Sequence, residues 1–140
     1  MKVFFDTNVI IDAITSRDYD YKDSRDLVLK TVDGEIEGYI SAKQLTDIYY
    51  ILRKYYDSEK YKRNVINMIC ETFNVLPVLP SDIGASLNTE IDDFEDAVIE
   101  EIAKVNMVQY IVTHDTKHFL KSKLVICSPH DLLTLVNAME

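Results

Sequence analysis

Four aspartates stand where a side chain can do chemistry instead of only solvating a surface. Asp6 directly follows the apolar run Val3-Phe4-Phe5, and Asp115 closes the segment Tyr110-Ile111-Val112-Thr113-His114-Asp115. Asp47 precedes Ile51 by four positions, and Asp96 precedes Ile99 and Ala103 by three and seven, so each borders an apolar helical stripe. Half-buried carboxylates are costly unless they are paired or bound to a metal. All-oxygen donors suit Mg²⁺ or Mn²⁺, ions that keep several waters, turn one into a nucleophile and stabilise charge on an attacked phosphate. The chemistry expected of such a group is hydrolysis of a phosphodiester. With 24 acids in 140 residues, an isolated acid is ordinarily a helix cap, a solvated charge or an ion-pair partner. Asp6 and Asp115 are set apart by following apolar strands.

The elements that must position these acids alternate in kind. Val3 to Phe5, Tyr39-Ile40, Val75 to Val78, Tyr110 to Thr113 and Leu124 to Ile126 are short apolar runs bounded by polar or turn residues, and predict five buried strands. Helical stretches are predicted near 24–33, 42–56, 58–73, 82–89, 94–106 and 129–139, several opened by a capping serine such as Ser41, Ser58, Ser81 or Ser128. Strands alternating with helices predict an α/β fold, a three-layer α/β/α sandwich whose central sheet of about five strands is mainly parallel. In such sheets ligands bind beyond the carboxyl ends of the strands, where Asp6 and Asp115 are placed. No linker, repeat or shift in composition divides the chain, so residues 1–140 are expected to form one domain.

Composition narrows the class. Hydrophobic residues make up 47% of the chain, with only three glycines and three prolines, which excludes a disordered or low-complexity protein. Cys70 and Cys127 have no zinc-like spacing and are expected to be buried thiols in a reducing compartment. The opening Met1-Lys2-Val3-Phe4-Phe5-Asp6 is too soon interrupted by charge for a signal peptide, and no run approaches ~18 apolar residues, so a cytoplasmic location is expected, with no membrane. A net charge of -9 argues against broad adhesion to nucleic acid, yet a metal ion held by clustered carboxylates attracts phosphate locally.

The sequence also carries a resemblance. Phe5-Asp6-Thr7-Asn8-Val9-Ile10-Ile11-Asp12 resembles the opening motif of PIN domains. Asp92-Asp93-Phe94-Glu95-Asp96-Ala97, followed by Tyr110 to Asp115 and Phe119, resembles the later half of the same family, particularly VapC-like toxins of toxin-antitoxin modules. The resemblance implies a Mg²⁺- or Mn²⁺-dependent endoribonuclease with RNA as substrate and an antitoxin protein as partner. It implies that Asp6, Asp47, Asp96 and Asp115 are the metal-binding acids, with Thr7, Asn8 and Thr113 as polar supports. Asp93 is a further supporting acid, and Asp12 a lesser one. Two positions depart from the family: Asp47 stands where Glu is frequent, so it must sit closer or reach an ion through water, and His118 stands where many members have an acid.

Lys43 and Lys117 are the basic residues best placed to guide RNA to the acids, ahead of Arg53 and Lys54. Tyr49, Tyr50, Tyr55 and Tyr56, with Tyr61 beyond, concentrate aromatic surface suited to a homodimer or a partner protein. Other readings are weaker. A haloacid-dehalogenase-type phosphotransferase needs a second Asp where Asn8 stands, and a receiver-like module needs an acid where Val75 to Val78 runs into Leu79-Pro80. A PIN-fold binding module without catalysis is the remaining alternative, which metal-dependent cleavage of RNA separates from an enzyme.

Overall fold

The computed structural model describes residues 1–18 and 21–140. Strand β1 (Lys2–Phe5) leads into helix α1 (Thr7–Thr15), then α2 (Tyr21–Val32), β2 (Glu37–Ser41), α3 (Ala42–Leu52) and α4 (Glu59–Thr72). They are followed by β3 (Asn74–Leu76), α5 (Pro80–Ser86), α6 (Phe94–Val105), β4 (Tyr110–Val112), a short 3-10 turn (Thr116–Phe119), β5 (Val125–Cys127) and α7 (Pro129–Ala138). The five strands form one sheet in the order β3-β2-β1-β4-β5, and every pairing is parallel. This is the α/β architecture the alternation implied.

β1 is the central strand and is buried on both faces. Side chains alternate across it: Val3 and Phe5 join a core with Val9, Ile10 and Ile11 of α1, Ile48 of α3, Ile69 of α4 and Leu132 of α7. Phe4 points the other way, into a second core with Tyr39, Ile111 and the α6 residues Ala97, Ile102 and Ala103. The last residue before Asp6 is held tightly, because Phe73 packs edge-on against Phe5 with ring centroids 4.9 Å apart. Gly38 on β2 makes room for this, since a Cβ there would stand 2.7 Å from the Phe73 ring.

Several features differ from the sequence expectation: Ser81 lies inside α5, whose N-cap is Leu79, and Cys127 is half-buried instead of buried. Helix α1 was not foreseen: Val9-Ile10-Ile11 is a β-branched run that favours strands, but burial of all three against the sheet outweighs that preference. Cys70 is exposed instead of buried, because α4 turns Lys62, Val65 and Ile69 inward and Cys70 lies off that stripe. Among the described residues no helix is long and apolar enough to cross a membrane.

Candidate metal centre

The strand order reverses direction between β1 and β4, since the chain adds β2 and β3 on one side and β4 and β5 on the other. The crevice at their carboxyl ends is where Asp6 and Asp115 arrive. Asp6 is the N-cap of α1: its Oδ1 accepts from the Thr7 amide at 2.7 Å, which satisfies one of the free amides of the first turn. Its Oδ2 accepts from the Thr113 hydroxyl at 2.7 Å, and the Asn8 amide donates to the same oxygen at 3.4 Å. Asn8 Nδ2 also donates to Asp115 Oδ2 at 3.1 Å, and Thr113 Oγ1 accepts from the Asp115 amide at 2.9 Å. Thr7, Asn8 and Thr113 therefore tie the two strand-end acids together.

The third acid comes from α6. Asp93 caps that helix by accepting from the Asp96 amide at 3.0 Å, which turns the Asp96 side chain toward Asp6. The Asp96 carboxyl is pushed up to about 7, by burial first, then by the charges of Asp6 and Asp93, while His118 opposes the shift. Its Oδ2 is buried without a hydrogen-bond partner, and His118 Nδ1 stands 3.4 Å away. Burial likewise raises the Asp6 pKa against the hydrogen bonds from Thr113 and Thr7, with Asp115 and Glu95 adding repulsion. Crowded carboxylates and an orphaned oxygen are the conditions that a divalent cation relieves. Among the described residues no three acid, histidine or cysteine side chains are already drawn into coordinating positions; Asp6, Asp96 and Asp115 supply only the oxygen donor chemistry that Mg²⁺ or Mn²⁺ takes.

Asp47 is occupied differently. Lys43 Nζ meets Asp47 Oδ2 at 2.9 Å and also binds Glu95, which straps α3 to α6 across the mouth of the site. Burial works against the Lys43 charge, but hydrogen bonds to Asp47 and Glu95 outweigh it and raise its pKa. Lys43 thus reaches the site by neutralising two acids at its rim. Lys117 lines a small neighbouring pocket with Glu90, Asp92 and His118, and neither cavity beside Asp6 includes it. Asp12 is buried away from the acids, in an ion pair with Arg17 at 2.7 Å and in contact with His114 Nε2 at 2.8 Å.

The acids lie between two cavities. One, of about 560 Å³, combines Asp6, Asp47, Glu95 and Asp96 with an apolar wall of Tyr50, Val78, Ile83, Phe94 and Ile99. The other, of about 310 Å³, gathers Asp6, Asn8, Asp93, Asp96, Asp115 and His118. Sequence reasoning missed Glu95 and Gln44. Gln44 Nε2 donates to the Phe5 carbonyl at 2.8 Å and to Thr7 Oγ1 at 3.3 Å, so it holds α3 against the turn that carries Asp6. Its signal was present, because Ser41 with Gln three positions later is a capping box, and the box is formed.

A sequence profile for the PIN domain matches residues 2–117. No curated protein matches the sequence. Among solved structures the chain is similar to VapBC2 from Rickettsia felis bound to a promoter DNA fragment, at 18% identity and TM-score 0.68, over 91% of this chain and 98% of that one. It is similar to VapC20 from Mycobacterium tuberculosis, described as a sarcin-ricin loop cleaving toxin, at 12% identity and TM-score 0.69, over 88% and 96%. FitAcB from Neisseria gonorrhoeae matches at 19% identity and TM-score 0.65, over 91% and 98%. A strand-end carboxylate centre in an all-parallel five-stranded sheet, with a profile that spans most of the chain, places this protein in the PIN-domain family.

Proposed function

We propose that this chain is a metal-dependent endoribonuclease and the toxin of a toxin-antitoxin pair. The observation that carries the enzymatic reading is the Asp96 oxygen, buried without a hydrogen-bond partner, in a carboxyl whose pKa is raised to about 7 by burial first and then by the charges of Asp6 and Asp93. A protein gains nothing in stability from such a group, so a bound cation is its best physical account. Asp6, Asp96 and Asp115 would hold Mg²⁺ or Mn²⁺, which when bound supplies a water of lowered pKa and neutralises charge on the phosphate. Thr113 and Asn8 orient the strand-end acids, and Asp93 orients Asp96. Asp47 contributes to the rim through Lys43.

Incubating the purified chain with mixed RNA in Mn²⁺ or Mg²⁺, and in excess chelator, tests this directly. Cleavage with metal and none with chelator is expected; no cleavage under any metal would favour a PIN-fold binding module.

The toxin reading draws on the solved structures the chain is similar to, among them one described as a toxin-antitoxin complex from Klebsiella pneumoniae and VapC20, described as a toxin. It also draws on the larger cavity, whose apolar wall and acidic floor suit a partner segment that buries aliphatic side chains and extends a basic one. Tyr50 (64% exposed) and Phe94 (47%) line that cavity, whereas Tyr55 and Tyr61 are exposed outside it and suit a homodimer contact. Tyr50→Ala with Phe94→Ala should lower the affinity for a co-expressed antitoxin at least tenfold, the loss of two exposed aromatic anchors costing about 2 kcal/mol or more. Undiminished co-purification and titration would remove this surface from the proposal. A cytoplasmic location belongs to the same reading, supported by free Cys70 and Cys127.

A further inference from the structure

Asp12 is 2% exposed and lines neither cavity beside Asp6, yet it sits at the head of a chain of contacts that ends on two of the acids. Arg17 Nε holds its Oδ1 at 2.7 Å, and its Oδ2 lies 2.8 Å from His114 Nε2. Two acceptors cannot approach so closely, so His114 Nε2 carries a proton and donates it to Asp12. Ser24 Oγ of α2 stands 3.2 Å from the same nitrogen, which confines the ring from a second side. His114 lies between Thr113 and Asp115, and its backbone amide donates to Asn8 Oδ1 at 3.3 Å. That contact acts with the two carboxylates in setting which way the Asn8 amide faces. With Oδ1 committed to His114, Nδ2 points at Asp115 Oδ2 (3.1 Å) and Asp6 Oδ2 (3.4 Å). A reversed amide would set an oxygen against two carboxylates.

We infer that Asp12 and His114 are positioning residues, which fix the orientation of Asn8 and through it the spacing of Asp6 and Asp115. This rests on the metal-centre reading only for its consequence; the positioning itself can be observed without metal. Groups that orient acids one step removed from an ion commonly change metal affinity by about 10- to 100-fold. A mere core ion pair joining α1, α2 and the β4 turn would change stability and leave the Asn8 amide and metal affinity alone.

The test uses the full chain labelled with ¹⁵N, as wild type, Asp12→Asn, His114→Ala and His114→Gln. Gln at 114 can still donate toward Asp12, so it serves as the conservative rescue. In wild type and His114→Gln the two Asn8 side-chain amide protons should be well separated and protected from exchange. In Asp12→Asn and His114→Ala they should collapse to solvent-like values while the β1 amides keep their native shifts. Mn²⁺ affinity, by calorimetry, should fall about tenfold in those two variants and stay near wild type in His114→Gln. An unchanged Asn8 amide in folded Asp12→Asn and His114→Ala would overturn the inference. If wild type binds no Mn²⁺, the nuclease proposal fails, and the Asn8 signals still decide the positioning role by themselves.

Discussion

Asp96→Asn should fold normally and lose RNA cleavage by about a hundredfold or more. The substitution keeps size and shape and removes a charge whose buried oxygen has no hydrogen-bond partner. Losing a ligand that supports a metal-bound nucleophile forfeits several kcal/mol of transition-state stabilisation, and about 3 kcal/mol corresponds to roughly a hundredfold in rate. Asp6→Asn should do the same to activity but with a structural side effect. Asp6 caps α1 and accepts from both Thr113 and Asn8, and an asparagine amide in place of Oδ2 would meet the Asn8 amide as a second donor. Asp96→Asn is therefore the cleaner variant, checked by single-turnover cleavage beside circular dichroism. A folded Asp96→Asn protein that retains more than about a tenth of wild-type cleavage, a deficit under about 1.4 kcal/mol, would remove Asp96 from the site.

The second expectation concerns stability with and without metal. The Asp96 carboxyl titrates near 7 in the folded protein against an ordinary value of 3.8, so between those values the folded state holds a proton that the unfolded chain has released. Its contribution to metal-free stability is therefore fullest below about pH 3.8, declines as pH rises to about 7, and is flat above. Asp96→Asn should lack this decline and melt at or above wild type in chelator near pH 8. Metal binding requires the ionised carboxyl, so Mn²⁺ should stabilise wild type most above pH 7. The gain should reach about 2.7 kcal/mol at a hundred times the dissociation constant, and Asp96→Asn should lose most of it. Melts in chelator and in Mn²⁺ at about pH 5 and pH 8 read both effects. If Asp96→Asn were destabilised without metal and shifted by Mn²⁺ as much as wild type, the carboxyl would be a structural group.

The acids that the sequence revealed are those whose placement is local. Asp6 is legible because an apolar strand runs into it, and Asp96 because an acid beside a helical stripe is costly unless used. What stayed hidden depends on partners far along the chain. Asp12 reads as part of the Asp6 motif until the fold brings His114 against it, and Glu95 looks like one more surface acid until α3 delivers Lys43 to it. The Lys43 to Asp47 contact was itself within reach, since the two are four residues apart on one helix. α1 was missed because Val9-Ile10-Ile11 carries no local helix preference and its burial against the sheet depends on the rest of the fold.

The hydroxyl that anchors Asp6 belongs to Thr113, 107 residues later, just past β4, a strand that can enter the sheet only after three others have been made. On the ribosome this separation becomes a delay. At about 5 to 20 residues per second, β1 and α1 are exposed for roughly 5 to 20 seconds before β4 can follow. Throughout that interval Asp6 has no Thr113 and no Asp115, and a chain interrupted there holds Asp6, Asp47 and Asp96 as scattered charges. The order of the strands thus acts as a timer: the contacts that Thr113 and Asp115 supply to the Asp6 turn form only after β4 has been made.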